Sequence, residues 1–459
     1  MNANSRTRAP GAIAVAALVA VVLAACSSLL DVQTPDIIDP GSVNNPDGAV
    51  AAYDGAIGDF AFANDGDNGG TEGQILVTGV MADEYYDSET FPTRIEYDSR
   101  AINESNGTLT TVFFNLSKAR VAAEGAAGAL EQYAPAPNSR VGEMLDLAGM
   151  TYVYFGENYC SGVPFSQRQP DGSITYGQPL ATNAILDQAV ARFDSALVIT
   201  ATQSSSADSV ARLRIRRLAA VGKGRALLDK GDFTGAAAAV AGVPTSFSYQ
   251  TFHSIATDRQ KNGIFVFNNQ APAGTGRFSV ADTEGTVGLN FRSAADPRVV
   301  SVRNGFGFDG VSPLYVLQKY TGPTSPTRVA DGVEARLIEA EAQLQAGNGA
   351  GMVTSLNALR ADAANNGGFN LAALADPGTQ VGREDLLFRE RAFWMFATGH
   401  RLGDLRRLAR APYSRAVNSV YPNGPYLHAG TVFGSNTELP VPFNERNNPN
   451  FTGCDYNTP

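Results

Sequence analysis

Cys26 closes an apolar run and is preceded by Leu23-Ala24-Ala25. That ending matches the bacterial lipobox, in which the thiol is acylated and the chain is cut just before the Cys. Upstream, Arg6 and Arg8 carry the only charges, and the run from Gly11 to Ala25 is rich in Ala, Val and Leu. Spanning a bilayer takes about 20 apolar residues, so this run is too short to do it comfortably. Residues 1–25 therefore read as a removable leader and Cys26 as a lipidated first residue. The competing reading is an ordinary secretory leader with a chance Cys near its end. A single acyl chain holds weakly, so stable anchoring needs more than one. Ser27 follows without an acidic neighbour, which suits sorting to the outer membrane.

Other reactive residues do not form a recognisable constellation. His253, His400 and His428 are far apart, and none falls in a zinc-protease pattern. There is no nucleophile-elbow Ser and no phosphate-loop Lys. Gly305-Phe306-Gly307-Phe308-Asp309-Gly310 matches a dinucleotide glycine pattern. Ser312-Pro313 and a strand-like run follow it, where phosphate binding needs a helix N-terminus, so it reads as a flexible loop. Asp65-Gly66-Asp67-Asn68-Gly69-Gly70 resembles the start of a calcium loop, but the twelfth position would be Leu76, which offers no carboxylate. No metal site is expected there. A glycosidase carboxylate pair remains open, since acidic residues are many and none is singled out. Cys160 and Cys454 remain once Cys26 is acylated, and an oxidising compartment lets them pair as a structural disulfide; two unpaired thiols are the alternative.

Without its first 25 residues the chain carries 33 Lys+Arg against 45 Asp+Glu. Such a surface repels phosphate backbones and argues against nucleic-acid binding. No later segment approaches the length of a membrane span; Ala236 to Val243 is far too short.

The elements that would position any site are mostly helical. Residues 26–45 are turn-rich and read as a tether. Asn45-Pro46 predicts a helix start, with apolar residues through Phe60 at spacings of three and four. Residues 110–132 and 140–158 read as two further helices. Leu218 to Leu227, a Gly231-Asp232-Phe233 turn, Ala236 to Val240 and Pro244 resemble a tetratricopeptide repeat. Ala335 to Ala346, Gly347-Asn348-Gly349 and Met352 to Ala361 repeat that shape. Residues 245–330 differ: Gly263 to Phe267 and Tyr315 to Leu317 look like short strands among loops. A charged, apolar helix returns from Arg383, with Phe393, Trp394 and Phe396 filling the core, Gly399 able to end it, and Arg401 and Asp404 spaced to pair.

Three separated segments resemble the SusD/RagB family of nutrient-uptake lipoproteins. Leu30-Asp31-Val32 with Pro35 looks like the opening of mature members. Tyr154-Phe155-Gly156 with Val163-Pro164-Phe165 looks like the loop after an early repeat helix, lengthened here around Cys160. The densest match runs through Arg336, Glu339 to Ala342, Leu356 to Arg360, Arg389 to Phe396, Gly399 to Arg406, Leu439 to Pro442, Glu445 and Asn448-Pro449-Asn450. The resemblance implies a mostly α, SusD-like single unit over 46–459, with four tetratricopeptide-like helix pairs and a large irregular loop region holding a few short β-strands. Its parts are an N-terminal portion 46–245, a loop-rich insertion 246–330 and a C-terminal helical portion 331–459. The same resemblance implies a non-catalytic protein without cofactor, held at the outer membrane by its N-terminal lipid alone and facing the exterior. It implies binding of oligosaccharide, or sometimes peptide, and delivery to a SusC-like TonB-dependent transporter. Sugar rings stack on aromatic faces, so Tyr85, Tyr86, Phe91 and Tyr97, in polar loop surroundings, are the candidate ligand contacts. A surface-anchored polysaccharide or peptide hydrolase and a ligand-free repeat scaffold are the other function classes.

Overall fold

The first described helix starts where Asn45 and Pro46 place it. In this computed structural model, residues 44–459 are described, apart from 170–172, 203–205, 270–275 and 428–430. The leader, Cys26 and most of the tether lie outside the described residues, as does His428. Helix α1 (Pro46–Asp65) begins with Pro in its first turn and with the Asn45 side chain accepting from the Gly48 amide at 2.9 Å. This satisfies one of the orphan donors of the helix start.

Twelve more helices follow among the described residues: α2 (Gln74–Met81), α3 (Pro92–Asp98), α4 (Gly107–Tyr133), α5 (Asn138–Asn158), α6 (Thr182–Ile199), α7 (Ser209–Asp229), α8 (Phe233–Val240), α9 (Gly263–Asn268), α10 (Gly332–Gln345), α11 (Gly349–Ala361), α12 (Gln380–Trp394) and α13 (Arg401–Ala409). Helices α1 and α4, α5 and α6, α7 and α8, and α10 and α11 pack as four successive pairs. The two repeat-like turns share one construction. Gly231 (φ 80°) and Gly347 (φ 79°) take the left-handed conformation that ends a helix. Asp232 and Asn348 then accept from the amides of Gly235 and Gly351, at 2.8 and 3.0 Å, to cap the next helix. Small residues let the pairs close. Phe193 of α6 lies between Gly149 of α5 and Gly222 of α7, where an added Cβ would fall 2.8 and 2.3 Å from its ring.

Among the described residues, ten short strands form five two-stranded antiparallel ladders. They are β1 (Tyr85–Asp87) with β7 (Phe278–Val280), β2 (Val163–Pro164) with β5 (Pro179–Leu180), β3 (Gln167–Arg168) with β4 (Ile174–Thr175), β6 (Ser248–Thr251) with β10 (Thr327–Asp331), and β8 (Ser301–Phe306) with β9 (Pro313–Leu317). The run Gly263 to Phe267, expected as a strand, is helix α9 instead. Five apolar residues cannot reveal their period. The Asn262 side chain decides the matter, accepting from the Phe265 amide at 2.9 Å while its amide group donates to Ser325 at 2.7 Å.

Helix α12 stops at Trp394, short of Gly399. The backbone beyond it finds partners elsewhere. Lys319 Nζ donates to the Phe396 carbonyl at 2.5 Å, Tyr320 to the Ala397 carbonyl at 2.8 Å, and the Ala397 amide to Glu84 at 3.0 Å. Phe393, Trp394 and Phe396 are buried as expected.

Charged groups tie the helices together inside. Arg401 does not pair with Asp404; it makes a two-pronged contact with Asp83 at 2.6 and 2.9 Å. Without it the buried Asp83 carboxylate would have no cation beside it and would keep the Leu289 amide, at 2.9 Å. Asp404 lies instead against Arg391 (3.0 Å) and Arg407 (2.8 Å), and Arg407 also reaches Glu341 (3.1 Å) and Asp229 (2.9 Å). Helices α7, α10, α12 and α13 meet there.

The chain returns on itself at its end. Cys160 and Cys454 are joined across 294 residues. The Gly434 amide donates to Ser99 at 2.7 Å, the Arg100 guanidinium to the Asn436 carbonyl at 2.7 Å, and the Phe443 amide to Glu104 at 3.0 Å. No described helix is long and apolar enough to cross a membrane.

Candidate functional site

Two half-exposed phenylalanines flank one guanidinium where the α2–α3 connection meets the β8–β9 turn. Phe91, immediately before α3, and Phe308, in the turn, are 48% and 42% exposed. The Arg277 guanidinium lies 5.7 Å from the Phe91 ring centre and 4.8 Å from that of Phe308. Buried Glu89 accepts from Arg277 at 2.5 Å and also pairs with Arg94, which in turn pairs with Glu72. The Arg94 guanidinium lies 5.0 Å from the Phe91 ring centre on the inner side. The two cations hold the rings in place by cation–π attraction.

The turn carrying Phe308 is shaped locally. Asp309 accepts from the amides of Val311 and Ser312, both at 2.9 Å, and from the Ser312 hydroxyl at 2.5 Å. This is the side-chain-to-backbone bonding typical of Asp in turns. Gly307 lies against Ser88, where a Cβ would fall 2.4 Å from the Ser88 Cβ. The Phe308 amide donates to Gly276 at 2.9 Å, and that of Asp309 to Ser88 at 3.1 Å. The glycine pattern is thus a strand end and turn; no helix follows it before β9. The surface offers ring faces, a guanidinium and an exposed neighbour, Phe306, with Arg303 at 5.3 Å from its ring centre. Apolar ring faces beside hydrogen-bond donors suit a polyhydroxylated ligand.

Of the four aromatic residues read as ligand contacts, the structure brings only Phe91 to this surface. Tyr85 and Tyr86 lie on β1 and are 0% and 4% exposed; Tyr97, on α3, is 0% exposed. Their surroundings are core and not loop, and the apolar faces of the helices and of β7 claim them. Phe308 and Arg277 were missed. The Phe-Gly-Phe-Asp-Gly turn signal was present, but their meeting with Phe91 is a tertiary contact.

Behind the surface sits a group of buried carboxyls. Asp98 accepts from the Asp87 amide at 2.8 Å and the Tyr426 hydroxyl at 2.6 Å. Burial pushes Asp98 up to about 7, and burial with neighbouring carboxylates pushes Asp87 to about 9 and Glu284 to about 8. Burial likewise raises Glu84 to about 8. In the unfolded chain these groups ionise near 4. Between there and their folded values the native state holds extra protons, so stability falls as pH rises. Lys319 and His400, both depressed by burial, act the opposite way with one proton each. The melting temperature is therefore expected to be about 5 °C or more lower at pH 8.5 than at pH 5.5, with a flatter profile in Asp98→Asn. A melting temperature that climbs across this window would refute the assignment.

The histidines described are structural neighbours of acids. His253 lies 3.1 Å from Asp65 and His400 3.1 Å from Glu334. Asp67 is 8% exposed, and its carboxylate accepts from the amides of Gly69 (2.8 Å) and Thr71 (3.1 Å) within its own turn. Leu76 is fully buried on α2.

No family model and no curated protein sequence matches the chain. Solved structures do: the four helix pairs and irregular loop region are the SusD-like fold, and the chain is mostly α on that plan. A SusD-like carbohydrate-binding protein from Bacteroides fragilis superposes with a TM-score of 0.64 at 14% identity, covering 89% of this chain and 99% of that one. A SusD superfamily protein from Bacteroides thetaiotaomicron gives 0.62 at 14% identity, covering 90% and 100%. A laminarin-binding SusD-like protein gives 0.60 at 16% identity, covering 90% and 99%.

Proposed function

We propose that this chain is a non-catalytic, lipid-anchored protein of the outer membrane that captures oligosaccharide at the cell surface and hands it to a SusC-like TonB-dependent transporter. The observation that carries the binding step is the pair of exposed rings, Phe91 and Phe308, fixed on either side of Arg277. The names of the structural neighbours, carbohydrate-binding and laminarin-binding, support a glycan ligand. The lipobox ending at Cys26 supports the anchor, and the stacked helix pairs offer a partner surface of the kind helical repeats present. The Cys160–Cys454 bridge suits an oxidising compartment.

Titration calorimetry of the mature chain with glycan and peptide panels, β-glucan oligosaccharides first, tests the reading. Phe91→Ala and Phe308→Ala are each expected to weaken glycan binding about tenfold, or about 1.4 kcal/mol. Undiminished affinity in the double variant would remove the ring pair from the site. Release of reducing ends from the glycan would favour the hydrolase reading. Co-purification of a large barrel protein with the detergent-extracted lipoprotein tests the transport step.

A further inference from the structure

A cavity of about 580 Å³ lies away from the ring pair, between the β6–β10 ladder, the end of β9, the turn after α11 and the end of α12. It shares no residue with the Phe91–Arg277–Phe308 surface. Its size is within the range of small-molecule sites. Trp394, Phe369 and Phe247 contribute apolar walls, and Lys319, Arg328 and Gln250 contribute polar ones.

The hydrogen-bond inventory of this cavity is unbalanced. Trp394 is 3% exposed, and its indole N–H has no acceptor. A buried donor left without an acceptor costs free energy. Lys319 Nζ, with three donor positions, gives one to the Phe396 carbonyl at 2.5 Å. Arg328 uses Nη1 on Asp331 at 2.6 Å. Asp331 is occupied on its other oxygen by the Glu334 amide at 2.8 Å. Arg298, against the Trp394 ring at 4.8 Å, is saturated by Asp296 and Glu390. Donors thus outnumber acceptors. The side-chain amides of Gln250, Gln318 and Asn365, which both donate and accept, also line the space.

We propose that this cavity is a second saccharide site, selective for a sugar residue that carries a carboxylate, a uronate. The carboxylate supplies the acceptors that Lys319, Arg328 and the indole N–H lack, and the ring hydroxyls exchange hydrogen bonds with the amides. Arg328 binds it by a charge-assisted contact. Lys319 supports the assignment. Burial, with Arg328 next in effect, depresses its ammonium far below the ordinary lysine value, and Glu84 and Asp331 oppose this only in part. Arg298 also lines the space, its charge cancelled by Asp296 and Glu390. An incoming carboxylate stabilises the ammonium and raises its value again, so docking takes up a proton in so far as the amine is deprotonated beforehand.

The experiment titrates the mature chain with glucuronate, galacturonate, a diuronide and, as the neutral control, glucose, in two buffers of different ionisation heat near pH 7.5. Uronate binding with net proton uptake is expected, with glucose at least tenfold weaker. The diuronide arm distinguishes a free sugar acid from the end of a polymer. Lys319→Met is expected to abolish proton uptake. Arg328→Gln, which keeps a donor for Asp331, is expected to weaken uronate binding about tenfold or more without changing glycan binding at the ring pair. Phe308→Ala is expected to leave uronate binding intact, which separates this site from the first. Equal affinity for glucose and glucuronate, no uronate binding at millimolar concentration, or full affinity in Arg328→Gln would each overturn the proposal.

Discussion

Asp404→Ala is expected to destabilise the protein by about 3–5 kcal/mol, the cost of removing one partner from a buried ionic cluster. Asp404 is almost wholly buried on α13. Burial alone would push its carboxyl up, yet the Arg391 and Arg407 guanidiniums beside it hold it well below the usual carboxylate range. Without it, Arg391 keeps only a 3.7 Å approach to Glu341. Arg407 keeps Glu341 and Asp229, so most of the loss falls on Arg391. Two like charges would then sit close together in a poorly screened interior. The sign with pH follows from the depressed value: Asp404 contributes stability above about pH 4 that is lost on further acidification. Urea unfolding of the wild type and the variant measures the difference. A change below about 1 kcal/mol would mean that water reaches the cluster and screens it.

The Cys454→Ser variant is expected to lose about 2–5 kcal/mol, because the bridge closes a loop of 294 residues and constrains the unfolded chain. Cys454 is the better target, since it is half-buried while Cys160 is fully enclosed. For a chain of this size the loss corresponds to a melting point lower by roughly 2–5 °C. Wild-type protein melted with a reductant should approach the variant. Alkylation of the unfolded, unreduced mature chain, followed by intact mass, should find neither Cys160 nor Cys454 modified. Coincident melts of wild type and variant in oxidising buffer would show that the bridge is not formed.

What the sequence revealed of this fold is what local chemistry encodes. Asn45 capping before Pro46, and Gly231-Asp232 and Gly347-Asn348 at the turns between paired helices, are decided within a few residues, so the first helix start and both turns could be read directly, although the helices after the turns begin at Phe233 and Gly349, three residues before Ala236 and Met352. Where distant groups decide, reading failed. Arg401 has an acid three residues away and a better one 318 residues away. Gly263 to Phe267 looks like a strand until Asn262 and Ser325 are seen together. The binding surface follows the same rule. Tyr85, Tyr86 and Tyr97 resemble Phe91 in their polar surroundings, and only packing separates the buried rings from the exposed one. Phe91 gains its meaning from Arg277, held by Glu89 across 188 residues.

The contacts between residues 98–106 and 422–443 bear on how such a chain can be built. Synthesis runs from the N-terminus, so the acceptors for the Arg100 guanidinium, at Pro422 and Asn436, emerge more than 300 residues after it. Until then an early-made cation and the Asp98 carboxyl have no Tyr426 or Asn436 to meet, and the cleft they line stays open to water. Loop closure over more than 300 residues is slow relative to local helix formation. The helix pairs are built from contacts nearer in sequence, while this seam zips only once both distant segments are present. A late, slow closing step of this kind keeps the polypeptide in a loosened state long enough for handling by chaperones before it becomes rigid.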